Sequence, residues 1–351
     1  MNPIAFYFFG RPIAWYGLIV TGGIVLAFML FLVLAKKREI DVDYSLEMFL
    51  WVIILAVLCC RLFYVIPRKE YFPQDFDWHD FVYMLNISNG GLTIIGGIFG
   101  GALGLLICTL KNKKYHFAYV ADCVVVALLL GQIIGRWGNF FNQELFGLEV
   151  TNPLFQKFPF AIHVVGSTHA PDGYYLPLFF YEGVFNFVGL VISLTLFFKV
   201  GKKLKPMTLT LFYLGWYGLV RGSMEFLKIE HENFGNSGIG IVQVICYIMF
   251  LVAMVLIVLL QMGKIKFTSD KFDKKIAAQA IINAEKQEAY DAKIKAKKEK
   301  KQAEKLLREQ DEQQRAEEKF GDMRENNSEE KPTEEKPTEE KPTEEKPTED
   351  K

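Results

Sequence analysis

The sequence predicts an all-α polytopic membrane protein with seven transmembrane helices, an extracytoplasmic cap and a charged cytoplasmic C-terminal tail. Three observations lead to this fold class: apolar stretches long enough to cross a bilayer, basic clusters between alternate stretches, and a charged composition after about residue 267. Of the 351 residues, 51% are hydrophobic, and the formal net charge is zero. These averages combine an apolar part with a charged part.

Seven apolar stretches in residues 1–267 define the predicted membrane domain, because each is about as long as a helix that crosses the hydrocarbon core. They lie near residues 14–35, 48–66, 92–110, 117–135, 178–198, 207–227 and 239–262. The first ends in Lys36-Lys37-Arg38 instead of a small-residue cleavage site, so we expect it to be retained as a span. Residues 148–176 are too polar to span and are expected to form the cap.

The basic residues predict the orientation of the spans. If seven spans alternate, four basic clusters fall on one side of the membrane. These clusters lie at residues 36–38, 111–114, 199–205 and 264–266. By the positive-inside rule that side is cytoplasmic, so the N-terminus is expected outside and the C-terminus inside, although Arg68 and Lys69 weaken the bias.

Neither the tail nor the cysteines indicate a second site. Residues 268–320 are predicted to form a charged, solvated helix, and residues 321–351 a disordered segment built on a Glu-Glu-Lys-Pro-Thr repeat. All five cysteines lie within apolar stretches, where cysteine usually serves as a small core residue, and their spacing is not that of a zinc site. The cysteine spacing therefore predicts no metal site, and we expect no nucleic-acid partner.

The fourth stretch ends in the polar sequence Gly-Gln-Ile-Ile-Gly-Arg-Trp-Gly-Asn-Phe-Phe-Asn-Gln-Glu-Leu-Phe-Gly, residues 131–147. A helix rising about 1.5 Å per residue covers roughly 30 Å between His116 and Arg136, which puts Arg136 at the outer membrane boundary. A guanidinium is a permanent cation with forked donors, and a segment that only crossed lipid would avoid it. We therefore expect Arg136 to bind a phosphate or a carboxylate.

The sixth stretch carries a second arginine. Arg221 lies about 21 Å along a helix from Met207, and Glu225 follows on the same face at i+4. An ion pair within the helix would explain this spacing by itself. Two arginines on separate spans, both in the outer half of the bilayer, instead favour a shared anionic ligand.

Further features lie in the outer halves of the other spans. The polar residues are Tyr16 in the first, Arg61 in the second, Glu182 in the fifth and Gln243 in the seventh. An interfacial tyrosine is often only a membrane anchor. In the third stretch, Gly96, Gly100 and Gly104 form a ridge of small residues, which predicts close helix packing.

Two functional classes fit this arrangement. One is an enzyme that acts on a phospholipid head group, and the other is a transporter or flippase that binds the same group. Transporters usually place ionisable residues near the bilayer midplane and often contain repeated halves. Here the polar groups cluster at one face, and the sequence has no evident half-repeat, which favours chemistry at the interface.

The stretch Gly135-Arg-Trp-Gly-Asn-Phe-Phe-Asn-Gln-Glu-Leu-Phe-Gly147 closely resembles the signature of bacterial prolipoprotein diacylglyceryl transferases. Further matches follow in the family's order and cover about residues 12–260. They are Trp15-Tyr-Gly17, Arg61 with Tyr64, Gly90-Gly91 followed by Gly96-Gly97, Phe158-Pro-Phe-Ala161, Tyr181-Glu182, Arg221 with Glu225, and Gln243. The charged tail has no counterpart in the family pattern.

The resemblance implies a seven-span enzyme of the bacterial cell membrane that uses no metal or organic cofactor. The enzyme would transfer the sn-1,2-diacylglyceryl group of phosphatidylglycerol to the lipobox cysteine thiol in a prolipoprotein signal peptide. It would act at the outer leaflet, among membrane lipids, and would release glycerol phosphate.

The resemblance also implies the roles of individual residues. Arg136 and Arg221 would hold the phosphate and stabilise the leaving group, Asn139 and Glu144 would orient the head group, and Tyr16 would contact it. The implied catalytic residues are Arg136, Arg221, Glu144 and Tyr16. The implied substrate-binding residues are Arg136, Asn139, Gly147, Arg61, Glu225 and Gln243.

One departure from the family pattern concerns how the thiol loses its proton. Family members commonly carry histidine or tyrosine at the position of Ile95, and polar groups at those of Leu176 and Phe180. A free cysteine has a pKa of about 8.5, so a base or a positive field is needed. Three substitutes stay open: Glu144 or Glu225 as base, Tyr16 as proton relay, and the field of the arginines.

Overall fold

The computed structural model describes residues 4–68, 71, 77–86, 91–112, 114–167, 170–228, 240–268, 274, 278, 282, 285 and 288–311. The chain divides into two compact units, Met1–Asp273 and Lys274–Lys351. In the second unit, residues 288–311 form a helix whose side chains are all exposed. Gly90 and the predicted disordered segment 321–351 lie outside the described residues.

The described part of the first unit consists mainly of helices. Its elements are β1 (Ile4–Phe8), β2 (Arg11–Ala14), α1 (Trp15–Lys37), α2 (Val42–Val65), α3 (Trp78–Leu85), α4 (Ile94–Lys111), α5 (Phe117–Phe141), β3 (Ile162–Val164), β4 (Gly173–Tyr175), α6 (Leu178–Thr195), α7 (Thr208–Glu225) and α8 (Ile241–Gln261). Six of these helices are long and apolar enough to cross a membrane: α1, α2, α4, α5, α6 with its continuation to Val200, and α8. The chain is therefore a mostly helical, polytopic membrane protein, as the sequence predicts.

The predicted span near 207–227 is helix α7, which does not belong to these six. Its hydropathy is lower because it carries Arg221, Ser223 and Glu225 beside several glycine, tyrosine and tryptophan residues. α7 packs mainly on α8, and also on α5 and α6. Its glycines Gly215 and Gly218 are buried. The helix is thus surrounded by other helices along much of its length.

The expectation of an all-α fold is wrong in one respect, because two short antiparallel hairpins accompany the helices. β1 and β2 are joined by the two-residue turn Phe9-Gly10, in which both residues have positive φ, 46° and 75°. Such turns match the twist of paired strands and close tight hairpins. β3 pairs with β4 inside the segment 148–176, the predicted cap.

The glycine ridge of the third predicted span packs helix α4 against α2, as its spacing predicts. A Cβ atom on Gly96 would lie 2.3 Å from the carbonyl oxygen of Cys59, and one on Gly100 would lie 2.2 Å from that of Leu55. Real Cβ atoms do not approach so closely, so only glycine permits this separation of the two backbones. These glycines therefore serve helix packing.

A buried carboxylate fixes the start of α7. Asp122 of α5 is 1% exposed and accepts hydrogen bonds from the amides of Met207 (3.0 Å) and Thr210 (2.8 Å). The hydroxyl of Thr210 also donates to Asp122, at 2.8 Å. The first amides of a helix have no partner within it, and an anion there also interacts favourably with the helix dipole. Asp122 therefore acts as an N-cap supplied by another helix.

The two ends of the helix bundle are defined by α1 and α5, which run antiparallel. Trp15 stacks on Phe141 with ring centroids 5.4 Å apart, and Arg38 lies over the ring of Tyr119 at 5.8 Å. We call the first end the Arg136 end. We call the opposite end, where α1 and α2 are joined, the Asp41 end.

Candidate active site

The polar residues predicted from separate spans meet at the Arg136 end. α1 and α6 begin there, and α5 and α7 finish there. The two turns of each helix nearest this end carry Tyr16, Glu182, Arg136 and Arg221. These side chains are far apart in sequence, and helix packing brings them together.

The carboxylate of Glu182 lies between the two arginines. One of its oxygens pairs with Nη2 of Arg136, and the other accepts a hydrogen bond from Nη1 of Arg221 at 2.8 Å. The side chain of Glu182 is 3% exposed, whereas those of Arg136 and Arg221 are 22% and 18% exposed. The carboxylate is therefore the buried partner, and both guanidiniums keep part of their surface open.

A second acid holds Arg221 from its own helix. Nη2 of Arg221 lies 3.5 Å from Oε2 of Glu225, so the ion pair that their i+4 spacing allows is present within the helix. Nζ of Lys228 lies 3.1 Å from the same oxygen. Glu225 is 4% exposed, so it is a buried carboxylate shared by two cations.

Asn139 links Arg136 to Glu144. Its Nδ2 donates to Oε1 of Glu144 at 2.6 Å, and its Oδ1 accepts from Nη1 of Arg136 at 3.5 Å. Glu144 follows the end of α5, and both its neighbours, Gln143 and Leu145, have positive φ, 51° and 63°. Left-handed backbone at a residue with a side chain costs about 1–3 kcal/mol and often marks a functional site.

Tyr16 lies against the same turn of α5. A Cβ atom on Gly138 would be 2.9 Å from Cδ2 of the tyrosine ring, so glycine is needed for this contact. The phenol is within electrostatic range of Glu144 and Arg136. The structure thus brings together all four residues of the predicted catalytic set.

The predicted substrate-binding residues Gly147 and Gln243 occupy supporting positions. The amide of Gly147 donates to the carbonyl of Leu176 at 2.9 Å, and a Cβ atom on it would lie 2.6 Å from the carbonyl of Leu227. Gln243 of α8 is 4% exposed and donates to the carbonyl of Gly222, the residue after Arg221, at 3.4 Å. Direct contact of either residue with substrate stays a prediction.

Arg61 is directed towards backbone instead of the other arginines. It is 1% exposed, its Nε donates to the carbonyl of Met84 at 2.7 Å, and Nη1 donates to that of Gly91 at 3.3 Å. These bonds tie α2 to the end of α3 and to the start of the α4 region. The predicted contact of Arg61 with substrate stays a prediction, and its described partners indicate a structural role.

The positions that depart from the family pattern offer no base. Ile95 is 71% exposed on the surface of α4. Phe180 is in ring contact with Phe158 at 4.7 Å, and the hydroxyl of Tyr181 donates to the carbonyl of Pro159 at 3.0 Å. The start of α6 therefore holds the loop around Phe158 by apolar and backbone contacts.

Sequence reasoning missed the part played by Glu182. In the sequence, Glu182 is a polar residue in the outer half of the fifth span and the end of a matched Tyr-Glu pair, and it does not belong to the predicted catalytic or substrate-binding residues. The available signal was an acid near the membrane boundary on the same side as two arginines. Spacing along one chain does not indicate that a carboxylate on a third helix lies between them.

Comparison with known proteins decides the family. The family model described as prolipoprotein diacylglyceryl transferase matches residues 3–259. The chain belongs to this family. The prediction from the residue 135–147 motif is therefore confirmed.

Several relatives within the diacylglyceryl transferase family bear the name phosphatidylglycerol–prolipoprotein diacylglyceryl transferase. The protein of that name numbered 1 in Clostridium perfringens is 35% identical over 259 residues, which cover 74% of this chain and 95% of the relative. One from Clostridium botulinum is 36% identical and covers 67% of this chain and 89% of its own length. One from Listeria monocytogenes is 28% identical, and the match covers 78% of this chain and 96% of the relative.

Membership of the diacylglyceryl transferase family also decides between the two functional classes. The chain is an enzyme of lipoprotein biosynthesis, as predicted, and the transporter or flippase alternative is not favoured.

Proposed function

We propose that this chain transfers the sn-1,2-diacylglyceryl group of phosphatidylglycerol to the lipobox cysteine thiol of a prolipoprotein. The observation that carries the proposal is the pair of guanidiniums held by one buried carboxylate, because both keep exposed surface at the same end of the bundle. A phosphate entering from the lipid would meet two permanent cations whose positions are already set. The relatives' names supply the two substrates.

The reaction exchanges one bond of the lipid for another. The thiolate attacks the carbon of the diacylglyceryl group that is bonded to the phosphate oxygen. A C–S bond forms at this carbon, and its C–O bond to the phosphate breaks. The leaving glycerol phosphate carries the negative charge that develops on the departing oxygen. Arg136 and Arg221 would stabilise that charge, and preorganised cations in a site shielded from water are effective at this task.

The three glutamates of the site differ in how well each can accept the thiol proton. Glu182 is paired with two arginines, and Glu225 is paired with an arginine and a lysine, so both carboxylates already hold cations in place. Glu144 makes no ion pair with any described residue and is bonded to the neutral amide of Asn139. We propose Glu144 as the general base, with Tyr16 beside it as a proton relay.

The supporting residues have separate proposed roles. Asn139 would set the distance between Arg136 and Glu144, because it bonds to both. Gln243 would hold the turn of α7 that carries Arg221, and Glu225 would orient its guanidinium. Gly147 would allow the loop after Glu144 to pass close to Leu227. Arg61 would order the connection between α2 and α4.

We further propose that α7 is a seventh span and that the Arg136 end faces the outside of a bacterial cell. α7 packs among α5, α6 and α8, so its polar residues need not meet lipid. Basic clusters lie at the opposite end, which the positive-inside rule assigns to the cytoplasm. This orientation puts the N-terminus and the segment 148–176 outside and the charged tail inside.

The proposal is tested with purified full-length protein, phosphatidylglycerol labelled in its acyl chains, and a lipobox-cysteine peptide. We expect label to become attached to the peptide through a thioether bond, and glycerol phosphate to appear in equal amount. A peptide in which serine replaces the cysteine is the matched control. Label that moves between leaflets without joining the peptide would contradict the proposal and support a transporter.

A further inference from the structure

Gln132 and Arg136, one helical turn apart on α5, each carry a buried polar atom that lacks a partner among the described residues. Gln132 donates from Nε2 to the hydroxyl of Tyr213 at 2.8 Å, but its Oε1 is buried and accepts no hydrogen bond from a described residue. Nε of Arg136 is likewise buried and has no acceptor in the part of the chain that the structure describes. Buried polar atoms in proteins nearly always have a partner, so two orphans one helical turn apart require an explanation.

The two residues lie one helical turn apart on α5, and their unpartnered atoms have opposite hydrogen-bonding character. Residues four apart lie on the same face of a helix, and side chains lean towards the helix N-terminus, which directs Arg136 back over Gln132. Oε1 of the amide can only accept, and Nε–H of the guanidinium can only donate. A single ligand atom that bonds to both Oε1 of Gln132 and Nε of Arg136 must be able to donate and to accept a hydrogen bond.

Of the chemical groups in the two substrates, a hydroxyl meets this requirement best. It has one donor hydrogen and two acceptor lone pairs, whereas an ionised phosphate oxygen only accepts and an ammonium only donates. A thiol is weak in both roles. The head group of phosphatidylglycerol is a glycerol with two free hydroxyls, joined to the phosphate that the arginines are proposed to hold.

We propose that Gln132 and Nε of Arg136 form a subsite for a head-group hydroxyl, and that Gln132 makes the enzyme specific for phospholipids with a polyol head group. The inference rests on the proposed function and adds a specificity-determining residue to it. Tyr213 is a positioning residue, because its hydroxyl accepts from Nε2 and thereby leaves Oε1 to face the ligand.

The test compares two lipids that differ only in the head-group hydroxyls. Full-length protein and a lipobox-cysteine peptide are incubated with phosphatidylglycerol or with the lipid in which propanol replaces the head-group glycerol. For the unchanged protein, we expect kcat/KM to be about tenfold higher with phosphatidylglycerol, because a site built for a hydroxyl rejects a ligand without it. In Gln132→Met, the ratio should fall to about two or less, through loss of rate with phosphatidylglycerol.

Two further variants separate specificity from folding. Gln261 also makes a side-chain bond between helices, from Nε2 to the hydroxyl of Thr208 at 3.0 Å, but near the last turn of α8. Gln261→Met should therefore leave the ratio between the lipids unchanged. Tyr213→Phe keeps the ring and frees the amide of Gln132, so the ratio should fall part of the way, and this variant decides the matter if Gln132→Met does not fold.

The outcomes distinguish this inference from the proposed function. Equal rates with both lipids in the unchanged protein would overturn the hydroxyl subsite and leave diacylglyceryl transfer intact. An equal loss of rate with both lipids in Gln132→Met or Tyr213→Phe would also overturn it, because that result indicates a structural role only. Absence of any transfer from phosphatidylglycerol by the unchanged protein would refute the proposed function itself.

Discussion

The two ends of the helix bundle carry charges in opposite environments. At the Arg136 end, Glu182 and Glu225 are 3% and 4% exposed and are shared among three cations. At the Asp41 end, the pair of Lys114 with Asp41 keeps 56% and 54% of its side-chain surface exposed. Lys111 and Glu47, 2.7 Å apart, are 63% and 38% exposed.

The exposed charges at the Asp41 end contribute little to stability, whereas the buried charges at the Arg136 end depend on one another. An exposed ion pair contributes about 0–1 kcal/mol, because water screens it and two flexible side chains must be ordered. Charges withdrawn from water depend on their partners, and removal of one partner costs about 3–5 kcal/mol. A membrane protein keeps such a cluster at one end of its bundle when the cluster has a ligand to bind.

The largest effect is expected from removing either arginine. Arg136→Ala or Arg221→Ala should lower kcat/KM for diacylglyceryl transfer about 10³-fold or more, because each removes a cation proposed to stabilise the leaving phosphate. Lys111→Ala, at the Asp41 end, is the matched control and should retain nearly full activity. Transfer at the normal rate in either arginine variant, measured with labelled phosphatidylglycerol, would remove the basis for the contrast between the two ends.

A smaller effect is expected at Glu144. Glu144→Gln should slow transfer by about 10²-fold and flatten the rise of kcat/KM with pH, since a base must be ionised to accept the thiol proton. Glu225→Gln is the comparison, and its pH profile should keep the rise. A Glu144→Gln variant with an unaltered pH profile would instead favour activation of the thiol by the field of the arginines.

Glu182 tests whether the buried carboxylate positions the arginines. Glu182→Gln keeps the shape but removes the charge that holds two guanidiniums together, so kcat should fall about tenfold through loss of their alignment. The KM for lipid should not rise, because the site becomes more positive towards a phosphate. A higher KM with an unchanged kcat would mean that Glu182 contributes to binding and not to alignment.

The smallest effect is expected at the Asp41 end. The hydrogen bond from Lys114 lowers the pKa of Asp41 below its ordinary value of 3.8. The stability from this pair is therefore complete above pH 3.8 and is lost as the pH falls towards the lower folded-state pKa.

Lys114→Met removes that acid-dependent contribution. The change in the free energy of unfolding at neutral pH should be within about 1 kcal/mol, because the pair is exposed. Transfer activity should be unchanged. Chemical unfolding in detergent between neutral and acidic pH measures the effect, and a loss of several kcal/mol would show that exposure does not separate the two ends.

Features that depend on short-range spacing were predictable from sequence. The i+4 step from Arg221 to Glu225 produced the observed ion pair, and the four-residue repeat of Gly96, Gly100 and Gly104 produced the close contact of α4 with α2. Both follow from the geometry of one helix, since residues three or four apart share a face whatever surrounds them. The motif of residues 135–147 likewise identified the family.

Features that depend on contacts between distant segments were not predictable. The hydrogen bonds from Arg61 to the carbonyls of Met84, Gly91 and Tyr83 are not evident from its place in the second span, and its contact with substrate stays a prediction. The direction of an arginine is decided by which backbone acceptors approach it, and hydropathy does not report their positions. The two hairpins were missed for a similar reason, because short strands in loops leave only a weak alternation in sequence.

Sequence alone was enough to identify a membrane protein of several spans, to predict that Arg136 and Arg221 lie towards the same end of the bundle, and to recognise the family. Apolar length and local motif suffice for these conclusions, because lipid admits few structures and helix geometry is regular. Only the tertiary structure decided that Glu182 lies between Arg136 and Arg221, and that Gln132 and Arg136 each leave one buried atom without a described partner. Both facts arise from the way α5, α6 and α7 pack. The spacing of residues within one helix does not indicate which side chains of another helix lie beside them.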